Sequence, residues 1–151
     1  MRMLAGLIFV LTLAACRGTN ISNSPVSIEE GPGDPKGGVE TTITVQPNGS
    51  ATLTYETSPP QVHTLTLSSN LVVKLYSDLT AALPLSSLPK ATGPNAFAGS
   101  LIISVAGQTS PNILGDSGIA GTLVTDVANI YNEFPRRVSD APHTGVLAEV
   151  P

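Results

Sequence analysis

The sequence predicts an α+β domain, in which a small antiparallel sheet of about four strands carries two helices on one face. Apolar residues alternate with polar ones in short segments between residues 39 and 67, and they recur every three or four residues in two later segments. Turn-forming residues separate these segments, since the chain contains 14 glycines and 13 prolines. A length of 151 residues fits a single domain of this kind.

The first strands form a predicted hairpin. The segments VETTITV (residues 39–45) and ATLTYE (51–56) flank Pro47-Asn48-Gly49, a turn signal because Asn and Gly tolerate positive φ. The segment VHTLTL (62–67) follows a second turn at Ser58-Pro59-Pro60 and is the predicted third strand. The residues expected to share one face are Val39, Thr41, Ile43 and Val45 in the first strand and Ala51, Leu53 and Tyr55 in the second.

Two later segments have helical spacing. Residues 70–83 place Val72, Leu75, Tyr76, Leu79 and Leu83 on one side, which predicts a helix that begins at the N-cap Asn70 and ends before Pro84. Alternation of Leu71, Val73 and Leu75 leaves a strand as the other interpretation. The apolar run SLIISVAG (100–107) is a predicted central strand. The second predicted helix ends at Pro135, and its apolar stripe consists of Leu123, Val124, Val127, Ala128, Tyr131 and Phe134.

The ends of the chain differ from this domain, which we place at residues 39–134. Residues 1–15 have one charge at Arg2, then an apolar stretch and small residues, which is the layout of a secretory signal peptide. Residues 16–38 are rich in Gly, Pro, Ser and Asn, so we interpret them as a flexible linker. Residues 135–151 form a predicted C-terminal tail.

The segment Leu13-Ala14-Ala15-Cys16 resembles the lipobox of bacterial lipoproteins. The resemblance implies that the signal peptide is cut before Cys16, that its thiol carries a diacylglyceryl group, and that its freed amine is often acylated. Each buried CH2 contributes about 0.8 kcal/mol, so two or three acyl chains hold the protein at a membrane. Arg17 follows the cysteine, and by this resemblance it favours the outer membrane, or the outer face of the plasma membrane in a single-membraned host.

Composition excludes some classes of partner. Seven Lys and Arg against eleven Asp and Glu give a net charge of -4, whereas a nucleic-acid-binding protein needs a basic face. Cys16 is the only cysteine, so the chain forms no internal disulfide. The expected partner is the membrane, through the lipid anchor, and a protein partner stays open.

A second motif, Gly115-Asp116-Ser117-Gly118, resembles the nucleophile segment of trypsin-like serine proteases. The resemblance implies that Ser117 is the nucleophile and His63 its base. Ile119 replaces the next glycine of that motif, and residues 39–134 are too few for the two barrels of the family. We therefore favour Asp116 or Ser117 as the cap of the second helix.

Metal and cofactor chemistry lacks a sequence signal. His63 and His143 lie far apart in the sequence, while Glu29, Glu30 and Asp34 fall in the predicted linker, where we expect solvated surface. We expect neither a metal site nor a cofactor.

The segments LYSDLTAALPLSSLP (75–89) and VAGQTSPNI (105–113), with the helix after them, resemble a type of small secreted bacterial protein that is uncharacterised. In that type, cysteines in the middle loop and after the second segment are placed to pair, and this chain has none there. The resemblance implies a fold and no activity.

These observations favour a lipid-anchored envelope protein that presents a small non-enzymatic binding or structural domain. Two alternatives stay open. One is a small serine hydrolase that uses Ser117. The other is an inhibitor or accessory subunit that docks on a secreted enzyme through the polar loop of residues 107–118.

Overall fold

Short runs that alternate apolar and hydroxyl side chains form the strands, because such runs bury one face of a sheet. The computed structural model describes residues 20–31, 40–91, 100–113 and 118–135. The strands are β1 (Val26–Gly31), β2 (Thr41–Val45), β3 (Ser50–Tyr55), β4 (Gln61–Thr66), β5 (Ser100–Val105) and β6 (Gln108–Thr109). The helices are α1 (Ser69–Ala81) and α2 (Gly118–Glu133), and a short 3-10 turn spans Leu85–Ser87.

The strands form one antiparallel open sheet in the order β4-β3-β2-β1-β5-β6. The α+β class and the antiparallel sheet are confirmed. The described sheet has six strands rather than about four, because β1 and β6 lie in segments that the sequence analysis assigns to the linker and to a loop.

The linker prediction is wrong for β1. Val26–Gly31 lies in the middle of the sheet, paired with β2 on one side and β5 on the other. Upstream of it, Ile21 is buried, and the hydroxyl of Tyr76 donates to the carbonyl of Ser24 at 2.6 Å. Only Val26 and Ile28 alternate in this segment, so its local pattern is weak. The strand depends instead on hydrogen bonds to two neighbouring strands.

The β2–β3 hairpin has the predicted turn. The amide of Gly49 donates to the carbonyl of Gln46 at 2.9 Å, and the side chain of Asn48 accepts from the amide of Ser50 at 3.0 Å. Gly49 has a φ of 89°, and a Cβ there would lie 3.3 Å from the carbonyl oxygen of Leu67. This position therefore favours glycine on two counts.

The predicted loop of residues 107–118 begins with a strand. Gln108–Thr109 pairs with β5 through a two-residue turn in which both Ala106 and Gly107 have positive φ, at 50° and 76°. This geometry is typical of a tight hairpin. Residues 100–105 of the predicted central strand form β5, which lies between β1 and this short edge strand.

The core lies on one face of the sheet, between the strands and both helices. Alternate residues of β1, β2, β3 and β5 share this core with both helices. The two helices contact each other, and the hydroxyl of Tyr131 in α2 lies 3.3 Å from that of Tyr55 in β3. The strand residues buried in the core are Val26, Ile28, Ile43, Val45, Ala51, Leu53, Tyr55, Leu101, Ile103 and Val105.

Helix α1 confirms the helical interpretation of residues 70–83 and excludes the strand. Its N-cap is Ser68, whose side chain accepts from the amide of Leu71 at 3.4 Å, so the prediction of Asn70 is wrong by two residues. The helix ends at Ala81, before Pro84. Its buried face contains Val72, Leu75, Tyr76 and Leu79.

Helix α2 confirms the second helical segment, with one correction to its stripe. Leu123, Val127 and Phe134 are buried as expected, whereas Ala128 is exposed. Ala120, Asp126 and Ile130 are buried instead. The buried stripe therefore repeats at three and four residues from position 120, and Ala128 falls outside it.

Candidate functional site

A row of hydroxyl side chains crosses the sheet on its open face, opposite the helices. Each member is directly paired with the next one across neighbouring strands, and paired residues point to the same face. Neighbouring strands are about 4.8 Å apart, so a row over six strands is about 24 Å long. From β4 to β6 this hydroxyl row consists of Thr64, Thr52, Thr44, Ser27, Ser104 and Thr109.

The hydroxyl row is ordered by its own contacts and by its residue types. The hydroxyl oxygens of Thr52 and Thr64 are 3.4 Å apart, and those of Ser104 and Thr109 are 3.0 Å apart. The β-branched side chain of threonine has restricted χ1, so these threonines lose little conformational entropy when a partner binds. Each hydroxyl both donates and accepts hydrogen bonds. The row therefore suits a neutral partner that carries many hydroxyl or amide groups.

A second row runs beside the hydroxyl row, two residues along each strand. Two residues along a strand correspond to about 7 Å. This row has two hydroxyls in its middle, a carboxylate beside them, and an apolar side chain at each end. From β4 to β5 it consists of Val62, Thr54, Thr42, Glu29 and Ile102.

The carboxylate end of this face opens into an acidic cleft of about 370 Å³. Its lining includes the four carboxylates of Glu29, Glu30, Glu40 and Glu56. Burial raises the pKa of Glu30, and a 3.4 Å hydrogen bond donated by Thr41 offsets only part of this rise. Glu30 is thus half-buried rather than solvated as the linker interpretation expects. Four carboxylates make this end of the sheet repel anions.

Metal binding finds no support in the described residues. No group of three or more His, Cys, Asp or Glu side chains within those ranges could hold a metal ion.

A charged cluster joins the two helices on the other side of the molecule. The Nζ of Lys74 donates to Asp78 in the same helix and to Asp126 of α2, both at 2.6 Å. Burial raises the pKa of Asp126, partly offset by the bond from Lys74. The bond from Lys74 lowers the pKa of the more exposed Asp78. The second oxygen of Asp126, Oδ2, is buried, and no described residue donates a hydrogen bond to it.

This cluster links α1 to α2 through the contact between Lys74 and Asp126. Removing Lys74 would leave the buried carboxyl of Asp126 without its hydrogen-bond donor, which is costly. Hydrogen bonds to both acids raise the pKa of Lys74, so it stays charged and cannot act as a base at neutral pH.

Of the residues that the serine-hydrolase alternative would use, the structure describes His63. His63 lies in β4, on the helix-covered side, with its ring edge-on to the ring of Tyr55 at a centroid distance of 5.9 Å. Asp116, Ser117 and His143 lie outside the described residues, so the predicted cap stays a prediction and the serine hydrolase stays an alternative. The same holds for Cys16 and the signal peptide.

No protein-family model matches the chain, and no curated protein matches it either. Neither helix of the described residues is long and apolar enough to cross a membrane.

Neither the hydroxyl row nor the helix cluster is predicted from the sequence, although each has a signal there. In TTITV, SATLTY and VHTLT, the residues between the apolar ones lie on the polar face, and all of them except Val62 are Ser or Thr. The same alternation that predicts the apolar face therefore also indicates a face of hydroxyls. Asp126 has helical spacing with Leu123 and Ile130, which places an acid on an apolar stripe. The register that aligns six hydroxyls is a property of the assembled sheet.

Proposed function

We propose that this chain is a lipid-anchored protein of the bacterial envelope whose domain binds a glycan through the hydroxyl row. The carrying observation is that six hydroxyl residues are in register across all six strands. The anchor holds the domain at the membrane surface, and the sheet presents a broad polar face to the polymers around it. This role needs no covalent chemistry.

The chemistry of the row favours a polyhydroxyl partner over an ionic one. All six members are neutral, so recognition would use many weak hydrogen bonds, directly or through ordered water. The adjacent carboxylates disfavour an anionic polymer such as nucleic acid or a phosphate-rich chain. A neutral glycan offers hydroxyl and amide groups at regular intervals along its length, as the row does.

Binding is tested by co-sedimentation of the full chain with purified, insoluble envelope polysaccharide. The double variant Thr44→Val and Thr52→Val keeps side-chain shape and removes two hydroxyls from the centre of the row. We expect a loss of at least fivefold in bound fraction. The matched control Thr122→Val and Thr125→Val removes two hydroxyls that bond to the backbone of α2. Equal binding by both double variants would contradict glycan recognition by the row.

The anchor and the absence of catalysis have separate tests. Cys16→Ser should abolish incorporation of labelled palmitate and leave the precursor uncut. A fluorophosphonate probe should leave Ser117 unmodified under conditions that label a control serine hydrolase. Labelling that disappears in Ser117→Ala would contradict the non-enzymatic role and support the hydrolase.

A further inference from the structure

Strand β4 forms one edge of the sheet that the described residues build, and three of its residues direct their backbone groups away from β3. The amide of Leu67 donates to the carbonyl of Gly49 at 2.9 Å, which makes this pair a hydrogen-bonded one. Hydrogen-bonded pairs alternate along an antiparallel ladder. Continuing the printed register, Leu65, His63 and Gln61 bond to β3. The residues with outward N-H and C=O groups are Val62, Thr64 and Thr66.

This edge lacks the features that usually prevent strand pairing. Edges are commonly protected by charge, proline, a bulge or very short length. The strand QVHTLT has no acidic residue, lysine, arginine or proline, and it is six residues long. The opposite edge, β6, has only two residues. Val62 is 58% exposed on the open face of this edge.

We propose that β4 pairs with β4 of a second copy of this chain, antiparallel and about a two-fold axis through Thr64. The three outward residues are self-complementary in this register. Thr64 lies opposite Thr64 of the second copy, and Val62 lies opposite Thr66. Each pair exchanges two backbone hydrogen bonds, so the contact forms six.

Three properties of the strand favour a second copy as the occupant. The register places no like charges opposite each other, which would otherwise oppose a symmetric contact. The Thr64 pair repeats the Thr52–Thr64 cross-strand contact already present within one sheet. On the helix-covered side, His63 of one copy lies opposite Leu65 of the other, and both are only partly buried in the single chain. Pairing covers them and joins the two hydroxyl rows end to end.

Cysteine cross-linking tests the register directly. In full chains that carry Cys16→Ser, purified in mild detergent, Thr64→Cys places two thiols on a hydrogen-bonded pair with Cα atoms about 5.5 Å apart, within disulfide range. Mild oxidation should convert most of the chain to a covalent dimer. Thr52→Cys is the matched control, because three strand spacings, about 14 Å, separate its two copies. Equal dimer yields for the two variants would overturn the proposal.

A mixed experiment sharpens the result. A mixture of Val62→Cys chains and Thr66→Cys chains should give several-fold more disulfide dimer than either variant alone, because residue 62 of one copy faces residue 66 of the other across the axis. Equal yields would overturn the two-fold register.

Sedimentation velocity tests the contact without a thiol. The full chain should sediment as a dimer, and Thr64→Lys should sediment as a monomer because two lysines would lie opposite each other. Thr52→Lys, on the same face of the next strand, should stay dimeric. Circular dichroism spectra should match across the three proteins, which shows that each variant folds. A monomeric wild type, or a dimeric Thr64→Lys, would overturn the proposal, whatever the outcome of glycan binding.

Discussion

The two faces of the sheet are built from alternate residues of the same strands, and they serve different ends. In β3, Ala51, Leu53 and Tyr55 are buried under the helices, while Thr52 and Thr54 between them lie on the open face. A side-chain period of two thus separates a buried apolar face from an open polar face. Apolar burial on one face supplies free energy of folding, so the polar face carries side chains that the core does not require.

The largest expected loss of stability comes from a change on the helix-covered face. Leu53→Ala removes a fully buried side chain from the core, and the free energy of unfolding should fall by about 2 to 5 kcal/mol. Thr52→Ala, its neighbour on the open face, should change it by about 0.5 kcal/mol or less. Urea denaturation of both variants measures the contrast. Similar losses would show that the open face also contributes to the core.

A smaller loss of stability is expected when the hydrogen bond between Tyr76 and Ser24 is removed. Tyr76→Phe removes the hydroxyl that donates to the carbonyl of Ser24 at 2.6 Å and joins α1 to the segment before β1. The free energy of unfolding should fall by about 1 kcal/mol, since the carbonyl loses a partly buried donor. Urea denaturation measures the loss, and hydrogen exchange at β1 should increase. Unchanged exchange there would contradict the coupling of α1 to this strand.

The pH dependence of stability tests the cluster between the helices. Burial raises the pKa of Asp126 above its ordinary 3.8, so the folded chain holds this proton more tightly than the unfolded chain. That contribution is present at low pH and is lost as pH rises from about 3.8 through the raised pKa. Asp126→Asn removes it, so the variant should lose less stability than the wild type between about pH 4 and pH 7. Denaturation midpoints at the two pH values measure the difference.

The pKa of Asp78 shifts in the opposite direction. The difference in stability between the wild type and Asp126→Asn is therefore expected above about pH 4. The bond from Lys74 lowers the pKa of Asp78, so its contribution is present above about 3.8 and is lost as pH falls. A wild type and variant with parallel profiles above pH 4 would contradict a raised pKa for Asp126.

The smallest expected change in stability is on the open face. Thr44→Val keeps the shape of a half-buried side chain at the centre of the hydroxyl row, so the free energy of unfolding should change by about 0.5 kcal/mol or less. Glycan co-sedimentation should nevertheless decrease. Together with Leu53→Ala, this variant separates the two faces, since one change affects folding and the other affects binding.

The elements that the sequence predicts well are those whose signals are local. The turn at residues 47–49 follows from Gly49 and its positive φ, and both helices follow from apolar spacing. The N-cap was misplaced because Ser68 and Asn70 are both good caps, and only the backbone decides between them: Ser68 is extended, with ψ at 145°. Ala128 was misplaced because an alanine fits either side of a helix.

The strand β1 was missed for a different reason. Its six residues include two glutamates and follow a proline, so composition alone indicates a linker. Its stability depends on β2 and β5, which come later in the chain, and on burial of Val26 and Ile28 beneath the helices. A property that depends on distant partners has no local signal to detect.

The sequence by itself determined the α+β class, the antiparallel hairpin, the two helices and which hairpin residues face the core, because each depends on neighbours within a few positions. Only the tertiary structure decided that β1 is central, that Asp126 meets Lys74, and that six hydroxyls align. These depend on register and on contacts between segments up to about 80 residues apart, as between Tyr55 and Tyr131. Short-range chemistry sets which side chains lie on each face, and long-range pairing sets what they can do together.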